Sequence, residues 1–90
     1  MKKILAIIGL SSFMFAASVY NQGLYAFLKG NYKVAYEKWV QACNIEKNPW
    51  GCFSAAQLLE KGEGVKKDPK RAKLLFEKAC KFGLKVACKK

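Results

Sequence analysis

Ninety residues with 17 Lys and Arg against 6 Asp and Glu, a formal charge of +11 and no histidine, leave room for one small domain. They exclude a histidine-rich metal site and a histidine general base. Four cysteines in so short a chain read as a disulfide framework once the chain leaves the cytosol.

The first segment supplies that exit. Lys2 and Lys3 form a positive start, and Ile4 to Ala17 form an apolar run broken only by Gly9, Ser11 and Ser12. Ala16 and Ser18 then supply the small-residue pattern that a signal peptidase accepts. The run is too short to span a bilayer comfortably. The expectation is therefore a signal peptide over residues 1–18, cut after Ser18, and a secreted or periplasmic product with no stable membrane span. No cysteine follows the cut, which argues against a lipid anchor. The remaining 72 residues bury only about 60% of the surface their unfolded chain exposes, so stability needs staples. Without Lys2 and Lys3, 15 cations face 6 carboxylates, a net +9 scattered over the chain. Such a charge favours anionic partners. For an exported protein these are acidic glycans, lipid head groups or acidic peptides rather than nucleic acid. The same lysines also serve as the solvated outer faces of helices.

Four helices follow in order. The first, Tyr20 to Lys29, closes at Gly30, where a positive φ suits glycine, and Asn31 offers an N-cap for the second. The second contains Lys33-Val-Ala-Tyr-Glu-Lys-Trp-Val-Gln-Ala-Cys43. Asn48-Pro49 then places an N-cap side chain ahead of a proline at the first helical position, opening a third helix, Trp50 to Lys61, that closes at Gly62. After an inserted Glu-Gly-Val-Lys-Lys stretch, Asp68-Pro69 repeats the start signal for Lys70-Arg-Ala-Lys-Leu-Leu-Phe-Glu-Lys-Ala-Cys80. The two long segments match at a 37-residue offset, a period that marks helical repeats. Within them Ala35, Trp39, Ala42 and Ala72, Phe76, Ala79 fall at i, i+4, i+7 on one face. Small residues at both ends let a neighbouring helix approach, and the aromatic fills the middle. The predicted fold is all-α: hairpins over about 20–43 and 50–80, a truncated third repeat at 84–90, and no strand. Each hairpin buries its apolar face only by stacking on its neighbour.

Cys43 and Cys52, and Cys80 and Cys88, stand at the two junctions between repeats. Of the three connectivities open to four cysteines, the repeat argues for Cys43–Cys52 and Cys80–Cys88, since each bond then pins one helix end to the next helix start. Zinc is disfavoured, because there is no Cys-x-x-Cys and no histidine; a catalytic thiol lacks a base. No cofactor is expected.

At this point Ala-Cys at 42–43, Cys52, Lys-Gly-Glu-Gly-Val-Lys-Lys-Asp at 61–68, Ala72, Phe76, Ala-Cys at 79–80 and Cys88 carry a resemblance. Together they resemble the Sel-one-like repeats of the Helicobacter cysteine-rich protein family over about Lys33 to Lys90. Gly23, Gly30, Tyr32, Ala35, Trp39 and Ala42 are closer to a tetratricopeptide pattern. The resemblance implies a right-handed helical-hairpin solenoid with one disulfide per repeat, export, and a family label of penicillin binding and β-lactam hydrolysis. The chain departs from that family in length, with about one and a half repeats where relatives stack several. It reads either as a truncated member or as one whose open end docks on something, including a second copy.

Hydrolysis finds little in the residues. Outside the signal, Ser54 stands alone with no Ser-x-x-Lys spacing, and no carboxylate pair among Glu37, Glu46, Glu60, Glu63, Asp68 and Glu77 sits where burial is evident. A binding surface has a more direct route. With Gly23, Phe27, Ala55 and Leu59 turned inward, Asn21, Tyr25, Lys29 and Phe53, Gln57, Lys61 form two stripes at i, i+4, i+8 on the opposite face. Aromatic, amide and ammonium groups side by side suit a peptide, a protein partner, a cell-wall glycan fragment or, through the resemblance, a β-lactam. The bland alternative packs Tyr25 and Phe53 against a loop or a neighbouring molecule and leaves the lysines solvated. Trp39 and Trp50 are both expected in the core, and Lys66 and Lys67 in solvent.

Overall fold

The computed structural model describes residues 18–90; the predicted signal peptide, apart from Ser18, lies outside the described residues. These fold into α1 (Val19–Leu28), α2 (Tyr32–Asn44), α3 (Pro49–Lys61) and α4 (Pro69–Lys81), followed by a 3₁₀ helix, Lys85–Lys89. No strand occurs among the described residues.

Side-chain caps open three of the four α-helices by satisfying an otherwise orphaned N–H. Asn21 N donates to Ser18 Oγ at 3.1 Å, Trp50 N to Asn48 Oδ1 at 2.9 Å, and Arg71 N to Asp68 Oδ1 at 3.1 Å. Asn31 differs from expectation: it holds the N-cap position of α2 without a side-chain bond. The tight turn after α1 fixes its backbone instead, through Asn31 N donating to Ala26 O at 2.9 Å.

Each helix packs chiefly on its neighbours in chain order, and the 3₁₀ helix packs on α4. The six positions matched between repeats (Ala35, Trp39, Ala42, Ala72, Phe76 and Ala79) are all buried. Around Trp39 the reason for small partners is explicit. A Cβ on Gly23 would lie 2.5 Å from Trp39 Cδ1, so only glycine lets α1 come this close to the indole. Tyr20 and Phe27 cover the ring at centroid distances of 6.0 and 5.5 Å, and its N–H donates to Tyr20 O at 3.1 Å. The largest side chain of the core is thus buried without an unsatisfied polar atom. Trp50 departs from the predicted core placement. It is 48% exposed: it follows Pro49 in the first turn, where its ring and that of Phe53 meet edge-to-face at a centroid distance of 5.8 Å.

Both predicted disulfides are present, Cys43–Cys52 and Cys80–Cys88. On the chain-entropy account, loops of this size contribute roughly 2–3 kcal/mol each, a large share of what a small domain has in total. The first bridge is fully buried, whereas Cys88 is exposed at the surface.

The inserted loop after α3 folds back on the first hairpin. Gly64, at φ +75°, approaches so closely that a Cβ there would fall 2.5 Å from the carbonyl carbon of Tyr32. Lys66 and Lys67 project into solvent.

Candidate functional site

The first helices of the two hairpins leave a groove between them, with a cavity of about 230 Å³. Tyr20, Leu24 and Phe27 of α1 form one wall, and Trp39 of α2 forms the floor. Ser54, Gln57, Leu58 and Lys61 of α3 form the other wall, and Glu63 of the inserted loop stands at the end. Helical spacing explains the set: 20, 24, 27 and 54, 58, 61 each recur at i, i+4, i+7 and so share a face. The neighbouring faces of the same helices hold the core, through Gly23 and Ala26 on α1 and Ala55, Ala56 and Leu59 on α3. One wall is therefore apolar and the other carries hydroxyl, amide and ammonium groups.

The predicted stripes are divided by the structure. Gln57 and Lys61 line the groove. Phe53 does not: it is half-buried on the far side of α3, edge-on to Phe76 at 5.4 Å. Asn21, Tyr25 and Lys29 lie on the solvent side of α1, outside the cavity lining. Tyr25 is 63% exposed, and Lys29 Nζ sits 4.6 Å from its ring centroid, a contact within cation–π range. Of the residues that line the cavity, sequence reasoning did not single out Tyr20, Leu24 or Leu58, turned Phe27 and Trp39 inward, and weighed Ser54 and Glu63 only as catalytic groups. The available signal was Leu24, an apolar residue of α1 that stays 38% exposed while Tyr20 and Phe27 pack on Trp39.

Ser54 and Lys61 share a wall, but seven residues of helix separate them by about 10 Å along the axis. That is well beyond the hydrogen-bond reach an activated serine needs. All four cysteines are bonded, so no thiolate is free to attack or to bind metal. Among the described residues no three His, Cys, Asp or Glu side chains gather where a metal ion could sit, and no helix is long and apolar enough to cross a membrane. No protein-family model matches this chain, and no curated protein matches it either.

Proposed function

We propose that this chain is an exported binding module, a short right-handed hairpin solenoid like the Sel-one-like repeats it resembles, whose α1–α3 groove takes an acidic peptide segment bearing a bulky apolar side chain. The observation that carries this is the two-sided groove over Trp39: Tyr20, Leu24 and Phe27 on one wall, Ser54, Gln57 and Lys61 on the other. A cavity of about 230 Å³ suits a side chain, and the polar wall suits the backbone and carboxylates around it. A net charge of +9 over residues 19–90 draws in acidic segments by long-range attraction.

A peptide fits better than a glycan. Sugar stacking needs an open aromatic face, and Trp39 is only 4% exposed, with Tyr20 and Phe27 over its ring. Export is supported by the charged, apolar and small-residue start of the chain and by two bridges that an oxidising compartment maintains.

Isothermal titration of the oxidised protein with an acidic peptide carrying one phenylalanine tests the reading. Saturable binding is expected, weakened about tenfold or more by Lys61→Glu, since the reversal puts like charges together at the wall. An absence of binding, or a Lys61→Glu variant that binds as well as the parent, would overturn it.

A further inference from the structure

A second cavity, of about 290 Å³, lies on the other side of α3, lined by Glu60, Pro69, Ala72, Lys73, Phe76 and Lys90. Its floor aromatic, Phe76, is the 37-residue counterpart of Trp39. The aromatic of each repeat stands four residues before the first cysteine of a bridge: Trp39 before Cys43, Phe76 before Cys80. Each cavity also takes a wall residue two positions after the second cysteine, Ser54 after Cys52 and Lys90 after Cys88. The first bridge joins the end of α2 to the first turn of α3, which carries Ser54; the second joins the end of α4 to the end of the 3₁₀ helix, just ahead of Lys90. The 37-residue repeat thus supplies both floors, Trp39 and Phe76, whereas the walls are built from residues that are not repeat counterparts.

The second cavity differs in charge. Where the first sets one ammonium, Lys61, beside one carboxylate, Glu63, the second sets Lys73 and Lys90 against Glu60 alone. Lys90 Nζ rests 5.4 Å from the Phe76 ring centroid, so a cation already stands over the aromatic where an incoming carboxylate would pair with it.

We propose that this cavity is a second subsite, so that the chain grips one acidic peptide at two bulky apolar side chains, one per repeat; this rests on the peptide-binding reading of the first groove. Gln57 and Lys61 of α3 face one cavity and Glu60 faces the other, so the ligand crosses α3. The helices bearing Trp39 and Phe76 each pack on α3. At usual interhelical spacings the axes of those two helices are at most about 16–20 Å apart, within reach of an extended peptide of about five or six residues. The occupant is a peptide and not a second copy of this chain, because a copy brings its own +9 charge to a cavity edged by two lysines.

The experiment compares two synthetic acidic peptides of about ten residues, titrated into the full-length oxidised product. One carries a single phenylalanine; the other carries two, about six positions apart. The two-anchor peptide is expected to bind at one-to-one stoichiometry and at least about tenfold more tightly, because its second contact is intramolecular. In the Lys73→Glu/Lys90→Glu variant that ratio should collapse towards one. Both side chains are exposed, so the fold should survive the change, and the ratio cancels any general loss of attraction. Equal affinities for the two peptides in the parent, or a ratio unchanged in the variant, would overturn the second subsite while leaving the first groove standing. Binding of neither peptide would overturn both, and peptide-induced dimers in sedimentation would assign the cavity to a second copy instead.

Discussion

The floor of the groove depends on a single missing side chain. Alanine is ordinarily the better helix former, by about 0.5–1 kcal/mol over glycine, yet a Cβ on Gly23 would meet the Trp39 indole at 2.5 Å. Gly23→Ala is therefore expected to destabilise the protein, by about 1–3 kcal/mol, measurable as a lower urea midpoint with an unchanged slope. Stabilisation would show that the ring has room to move and that α1 is not held against it. The small–aromatic–small pattern that buries Trp39 and Phe76 was readable from the i, i+4, i+7 spacing. The displacement of Phe53 was not, although its cause is simple. Each i to i+4 step advances about 40° beyond a full turn, so a stripe of three such residues rotates by about 80°. Lys61 and Gln57 reach the groove while Phe53 reaches Phe76.

At the scale of elements, helix starts were the most legible feature, because Asn48-Pro49 and Asp68-Pro69 encode caps that depend only on adjacent residues. Helix order and the pairing of cysteines followed from the repeat. The inserted loop was legible as a difference between the repeats and illegible as a structural part, since nothing local states that Gly64 will dock on Tyr32. That contact fastens the second hairpin to the first and brings Glu63 to the groove. Gly64→Ala would force a side chain into left-handed backbone at φ +75° and against the Tyr32 carbonyl carbon. A loss of more than about 1 kcal/mol is expected, with weaker peptide binding in titration. A variant that melts and binds like the parent would show that the loop is not a fastener.

At the largest scale the described residues form a row of helices, each held mainly by its chain neighbours, and two bridges staple the junctions. Their surroundings differ. Cys43 and Cys52 are fully buried, while Cys88 lies at the surface. Brief reduction under native conditions followed by alkylation and peptide mapping should therefore label Cys80 and Cys88 well before Cys43 and Cys52. Simultaneous labelling would mean that the molecule opens as one unit. If the chain is exported as proposed, a non-reducing map of the protein recovered from outside the cytosol would also place its N-terminus, expected at Val19. The central claim, that the α1–α3 groove is a peptide site, is tested most directly by the two tryptophan indole N–H signals in a ¹⁵N–¹H spectrum during titration with the one-phenylalanine acidic peptide. Trp39 floors the groove and Trp50 lies outside its lining, so the Trp39 signal should shift saturably while that of Trp50 stays in place. A Trp39 signal that remains fixed while the peptide binds would contradict the account.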